Sequence, residues 1–345
     1  MKYKLIFMGT AVVLAGCGGG GSDTASNNTQ TTPDVYPAAK PAVGDWFVYT
    51  STTTPTLPAG QTPIQRTIVR YFPAVNADGS LTRVDTTSLG SRAQRSFDAN
   101  RAIVSFTSAS SQCNFVNPYR SAPPLASKVG DTYTANSTQF CTALPSGIVS
   151  QLTIAITGSS VAIEDRIIPL GTFRTFKYTQ TTVSTSATST VTNVESCWTD
   201  MVSGQTVECT TTSQTVPAGQ SAVTASGSSS VRLEAYSFNN QAAVGSAVQR
   251  FSGLWNVALG GATTGDCLNL FVADNGQISG ACRLLVSAGV YGASFPVTGT
   301  VNAAGVVALT ATNGATISGA FSSPVSAGGA WQSGAVAGIW AASHL

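Results

Sequence analysis

Few residues in this sequence are placed to do chemistry. The only histidine is His344, next to last in the chain. A Ser-His-Asp or Cys-His relay therefore has no internal base, and no catalytic residue is assigned. Among the carboxylates, Glu164 and Asp165 are adjacent. Neighbours on a strand point to opposite faces, so these two would not act on one substrate, and a carboxylate-dependent hydrolase is the weakest functional reading. Glu195, Asp200 and Glu208 gather around Cys197 and Cys209. They could hold a cation, but the DxDxDG spacing of a calcium loop is missing. Arg66 and Arg70 share one strand face. They could meet an anionic sugar or a lipid headgroup, or simply be solvated. Trp46, Trp198, Trp255 and Trp340 could line a carbohydrate site but sit in strand patterns that suit a core.

Cysteine chemistry is more informative. Cys17 stands apart near the start, leaving six of the seven cysteines, an even number suited to an oxidising compartment. Cys267 and Cys282 flank Asp274-Asn275-Gly276, a hairpin turn whose midpoint places them opposite one another. Cys197 and Cys209 repeat this around Ser203-Gly204, and Cys113 and Cys141 would close a longer loop. No CxxC is present, so neither a zinc site nor any other metal or cofactor is expected.

The elements that must carry these residues are strands. Helical periodicity is nearly absent, and short alternating stretches such as "GDWFVYTST", "QRTIVRYFPAV", "RAIVSFTS" and "QLTIAITG" recur between turn residues. The long "GTFRTFKYTQTTVSTSATSTVTNV" reads as one strand with Val183, Ala187 and Val191 on one face. "AVGDWFVYT" and "SKVGDTYTA" share Val-Gly-Asp before a strand, which suggests that residues 40–249 contain an internal duplication. From residue 250 onward charge nearly vanishes, and about eight short glycine-punctuated strands follow. They suit a meander closed as a small barrel, with the first and last strands paired and Trp255 near Trp340. The expected class is all-β: an N-terminal antiparallel sheet domain (40–249) and a C-terminal barrel of about eight strands (250–345).

Charged residues make up only 9% of the chain, far below the roughly 25% of ordinary soluble domains. The formal charge is +2, and without Lys2 and Lys4 it is zero. No basic stripe is present to release counterions from DNA or RNA, so nucleic acid is not an expected partner.

The start explains Cys17. Lys2 and Lys4 precede an apolar run from Leu5 to Leu14 that is too short to span a bilayer as a mature helix. Its end, Leu14-Ala15-Gly16-Cys17, resembles the lipobox of bacterial lipoproteins. The resemblance implies removal of residues 1–16, acylation of Cys17 and anchoring in a lipid bilayer. Gly18, rather than Asp, after the cysteine implies the outer membrane. Residues 17–39, rich in Gly, Ser, Thr and Asn, read as a flexible tether. The "PLGTFRTFKY" strand and the Val-Gly-Asp starts resemble bacterial envelope proteins of unknown function. The C-terminal pattern resembles small barrels at the ends of surface lipoproteins and, more distantly, avidin-like and lipocalin-like barrels. The expected function is therefore that of a non-enzymatic, outer-membrane-anchored lipoprotein that binds something. The main alternative is a periplasmic carrier holding a lipid or apolar ligand in a barrel.

Overall fold

The computed structural model describes residues 34–37 and 41–345; Cys17, the lipobox and most of the expected tether lie outside them. Residues 34–345 form one compact unit. It is all-β, built on two antiparallel sheets, each closed on itself. Among the described residues no helix is long and apolar enough to cross a membrane.

The first sheet runs in chain order through β1 (Trp46–Leu57), β2 (Ile64–Val75), β3 (Leu81–Thr87), β4 (Ser91–Phe97), β5 (Ile103–Ser108), β6 (Ser111–Tyr119), β7 (Thr132–Ala143), β8 (Val149–Ile168), β9 (Gly171–Thr185), β10 (Ser189–Asp200), β11 (Thr206–Pro217) and β12 (Ala225–Ser237). β1 also pairs with β12, from Trp46↔Ser237 to Leu57↔Ser226, and this closes a barrel. Closure removes the exposed edges that an open sheet of this size would present. A two-residue strand, β13 (Val244–Gly245), pairs antiparallel with the end of β12.

Alternation decides what faces inward. Phe47 and Tyr49 point into the barrel core with Phe72, Leu81, Phe97 and Phe238. Trp46 and Val48 point outward, yet they are buried too, against Val69, Ala235 and Ala247. The cover is a short 3-10 turn, Ala247–Phe251, that links the two sheets.

Two sequence expectations change here. "QLTIAITG" and "SSVAIEDRII" are one strand, β8, continuous through a register shift between Ser160 and Ala162. Within it Gly158 makes room for the ring of its partner Tyr133, which a Cβ there would approach to 2.2 Å. Conversely, the threonine-rich run is not one strand but the β9–β10 hairpin, with Ala187 in its bend. The bend has no Gly, Pro, Asn or Asp. Ser186 makes it instead, its Oγ accepting from the amides of Thr188 and Ser189.

The second sheet contains β14 (Gly253–Gly261), β15 (Gly265–Val272), β16 (Gln277–Ser287), the short β17 (Val290–Tyr291), β18 (Phe295–Val301), β19 (Val306–Ala311), β20 (Thr316–Ser323), β21 (Ser326–Ser333) and β22 (Val336–His344). First and last long strands pair, Trp255↔His344 through Gly261↔Gly338, and β15 pairs with β16, so eight strands close. Trp255 and Trp340 share the core, but Trp255 rests on Phe321 and His344, at 4.5 and 4.9 Å, while Trp340 pairs in register with Leu259. Trp331 donates its indole N–H to the Gly260 carbonyl and Trp340 to that of Ser318, both at 2.9 Å. Glycine makes this possible: a Cβ on Gly329 would sit 2.7 Å from Trp340 Nε1, and one on Gly338 2.6 Å from Trp331 Nε1. The space left inside is about 10 Å³, less than one water needs, so this barrel is filled by its own side chains.

Three cysteine pairs stand directly across strand pairs at disulfide distance: Cys113–Cys141, Cys197–Cys209 and Cys267–Cys282, each with Cα atoms 4.0 Å apart.

Candidate functional site

The first barrel is not filled. Its interior holds a cavity of about 660 Å³ whose lining includes seven arginines and two carboxylates, Asp85 and Glu195. The arginines come from one half of the chain: Arg66 and Arg70 on β2, Arg83 on β3, Arg92 and Arg95 on β4, then Arg101 and Arg120 in loops.

Strand parity puts Arg66, Arg70, Arg83 and Arg95 there, whereas Arg92 has the opposite parity on β4 and pairs with Thr86. On β2, Arg66, Ile68, Arg70 and Phe72 alternate inward, as do Leu81, Arg83, Asp85 and Thr87 on β3. Arg70 faces Asp85 across β2–β3, and Arg83 faces Arg95 across β3–β4. Like charges directly opposite one another are unfavourable, and Asp85 offsets part of this. Its carboxylate receives Arg83, with Nε 2.9 Å from Oδ1 and Nη2 3.0 Å from Oδ2. Arg95 Nη1 bonds Oδ2 closely, and Arg70 Nε lies 3.8 Å from Oδ1. Each guanidinium also lies over a ring: Arg70 over Tyr49 at 4.6 Å, Arg83 over Phe97 at 5.0 Å and Arg95 over Phe106 at 5.4 Å. These stacks fix the guanidinium planes and limit rotamer freedom.

One carboxylate cannot neutralise three guanidiniums. Burial alone would raise the pKa of Asp85, but Arg83, Arg95 and Arg70 outweigh it and hold the carboxyl below its ordinary range. Burial pushes the Arg83 pKa down to about 10, with Asp85 opposing the fall and the neighbouring Arg70 and Arg95 adding to it. Arg66 Nε is buried and has no hydrogen-bond partner. The second acid, Glu195, has its pKa raised by burial.

The last part of the expected tether is not free: residues 34–37 are held against the first barrel and reach the same cavity. Val35 bridges to Lys128, Tyr36 N donates to Ser127 O at 2.7 Å, and the Tyr36 ring packs on Phe176 and Tyr178. Tyr36, Pro37 and Tyr178 all line the cavity.

The other residues singled out by sequence lie apart. Glu164 accepts from Trp198 Nε1 at 2.6 Å, whereas Asp165 meets Arg174, so the adjacent pair is divided as strand alternation requires. Of the hairpin acids, Glu195 faces the cavity, Asp200 accepts from Ser203 in the turn, and Glu208 pairs with Arg166. They do not converge, and no metal-ligand cluster occurs among the described residues. Trp198 lies beneath Arg166 and Lys177, at 4.2 and 5.0 Å. Arg66 and Arg70 do share a face, and that face is the inner one. Sequence reasoning missed Arg83, Asp85 and Arg95. Their signal was parity: both arginines alternate with apolar Leu81 and Phe97 on the face that carries Asp85.

No family model matches the chain, and no curated protein matches it. Among solved structures it is similar to a candidate exported protein of YmcC-like fold from Bacteroides fragilis, at 13% identity over 58% of this chain and 99% of that one, TM-score 0.36. It is also similar to the hypothetical lipoprotein YmcC of Escherichia coli, at 12% identity over 53% and 86%, TM-score 0.29. A third likeness is to a candidate lipoprotein of Parabacteroides distasonis, at 12% identity over 58% and 98%, TM-score 0.30. These likenesses assign no ligand and no activity to the chain.

Proposed function

We propose that the chain is an exported lipoprotein, held in the outer membrane through acylated Cys17, and that it works as a binding protein whose site is the arginine-lined interior of the first barrel. The anchor rests on Leu14-Ala15-Gly16-Cys17 behind a basic start and an apolar run. The site rests on one observation: Arg70, Arg83 and Arg95 converge on the single carboxylate of Asp85 inside a cavity. An excess of positive charge, fixed in place and partly removed from bulk water, is what an anion-binding site requires. An apolar cargo does not suit either barrel, since one is filled and the other has charge on its walls. Asp85 is committed to its arginines and has no free role as a base, which fits binding without turnover.

Titration calorimetry with inorganic phosphate and with glucuronate, at low salt and again at high salt, tests the reading. Binding that weakens with salt, and that falls about tenfold or more in Arg95→Gln, is expected. Absence of binding by either anion at millimolar concentration in the folded protein would reject the site.

A further inference from the structure

The arginines are not one cluster. Arg66 precedes Arg70 by four residues on β2, about 13 Å along the strand. Arg70, Arg83 and Arg95 form the middle group around Asp85. Arg101 follows Arg95 beyond Phe97 and Ile103, and its neighbour Asn100 accepts from Arg120 Nη1. Arg95 and Phe97 are two strand positions apart, and Arg101 lies two before Ile103, which pairs with Phe97. Arg101 therefore lies in the β4–β5 turn, at the end of the strands away from Arg66. One cavity therefore carries positive charge at three levels.

We infer that the ligand is an acidic oligosaccharide, an extended chain carrying a carboxylate on every second or third sugar and lying across all three levels. The inference rests on the proposed anion site. A phospholipid has its charge at one end and needs an apolar channel for the rest, whereas here charge recurs along the cavity. Polyphosphate and single-stranded nucleic acid carry charge at every unit, and Asp85 and Glu195 between the arginines oppose so dense an anion. An extended peptide would seek a strand edge, and closure of the barrel through β1 and β12 leaves it no edge between those strands. The remaining lining suits a sugar chain: Ser91, Ser108 and Thr211 supply hydroxyls, and Phe106 and Tyr119 offer ring faces.

The test uses the full chain and hyaluronan oligomers, which carry a carboxylate on every second sugar. Calorimetry compares hexasaccharide with disaccharide, with a neutral dextran oligomer and with phosphatidylglycerol vesicles. The hexasaccharide should bind at least about tenfold more tightly than the disaccharide, because the second and third contacts are intramolecular. In Arg66→Gln that advantage should shrink to about twofold, the hexasaccharide losing more affinity than the disaccharide; thermal unfolding confirms that this variant folds, and Arg120→Gln, at the other end, repeats the test. Equal affinity for hexasaccharide and disaccharide, or displacement of the hexasaccharide by the vesicles, overturns the inference while leaving an anion site in place. Failure of phosphate, disaccharide and hexasaccharide alike overturns both.

Discussion

Asp45 and Asp131 hold the same position in two halves of one barrel. Each precedes a strand, and each carboxylate accepts the amide three residues earlier at 2.7 Å, from Ala42 and from Lys128. The glycine before each has positive φ, +97° at Gly44 and +92° at Gly130. Gly44 N and Asp45 O bond Phe72 on β2, and Gly130 N and Asp131 O bond Ser160 on β8. Both partner strands shift register beside that contact. The twelve strands thus divide into six and six, each set launched by the same turn.

The two aspartates should nevertheless differ in cost. Asp45 is fully buried and its Oδ1 also accepts from Asn240 N, whereas Asp131 is exposed. Asp45→Ala removes two hydrogen bonds made by a buried carboxylate and should destabilise by about 2–3 kcal/mol, against about 1 kcal/mol or less for Asp131→Ala. Urea unfolding of the two variants measures the difference, and equal losses would contradict it.

Much of this architecture is legible before any coordinates. Val-Gly-Asp at 43–45 and 129–131 marks the two launch points, Asp274-Asn275-Gly276 sets the register of Cys267 against Cys282, and glycine spacing gives the eight-stranded barrel. The site is only half legible. Arg66 and Arg70 declare a shared face, but charged residues on strand faces usually read as solvated. The wet face of this sheet is the inside of a barrel, and only closure through β1 and β12 makes it so. Pairing of Arg83 with Arg95 is set by the single β3–β4 hairpin, but bringing Arg70 to the same carboxylate also needs the β2–β3 register, whose shift between Tyr71 and Ala74 is invisible in residue types. The hairpin at Ser186–Thr188 is hidden for a different reason: hydroxyl groups make its turn, and the flanking strands are hydroxyl-rich as well.

Acid should weaken the first barrel through Asp85. Its folded pKa lies below the ordinary 3.8, so its ion pairs contribute fully above that value and are lost as pH falls through the folded pKa. Glu195 acts with opposite sign. Its folded pKa is raised, so its contribution is present below the ordinary 4.5 and is lost as pH rises through the folded value. Glu195→Gln should therefore raise the melting temperature at pH 7 and have no such effect at pH 4. Asp85→Asn should lower stability at pH 7 by about 3–5 kcal/mol, because three guanidiniums then lose their only close carboxylate. Thermal scans of both variants across pH check the pair of signs.

His344 gives the second barrel its own pH response. The ring is buried and packs on Trp255, with Nε2 and Nδ1 each 2.9 Å from a carbonyl, those of Ser252 and Leu345; the neutral ring donates its single N–H to one of them. Burial lowers its pKa; the two carbonyls oppose that, and Arg92 reinforces it. A base with depressed folded pKa is held neutral, so stability is full above its ordinary value of 6.5 and declines as pH falls below it. His344→Gln should flatten the stability profile between pH 7.5 and 5.5. A wild-type profile level through that range would refute the assignment.

Glycine at 329 should be irreplaceable for a packing reason. A methyl group there would meet the Ser318 carbonyl, the Gly319 Cα and Trp340 Nε1, two of the three being backbone that cannot yield. The Trp340 indole would have to leave its bond to Ser318 O, stranding a buried N–H. Gly329→Ala should cost about 2–4 kcal/mol. Gly260, where an added Cβ meets nothing within 4 Å, provides the control: Gly260→Ala should stay within about 1 kcal/mol of wild type.

The proposed anchor at Cys17 should be separable from the fold. Cys17 is the cysteine left over when the other six stand as pairs across strands. On the proposed reading, acyl chains would add about 0.8 kcal/mol per buried methylene, and a chain with 9% charged residues and zero formal charge without Lys2 and Lys4 would gain little electrostatic attraction to a bilayer beside that. Cys17→Ser should therefore release the protein into the soluble fraction with unchanged melting temperature and unchanged binding of glucuronate. Fractionation after a wash at physiological salt measures release. A variant that stays wholly with membranes would show that some other surface holds the protein there, and one that is released but melts lower would show that the N-terminus supports the fold.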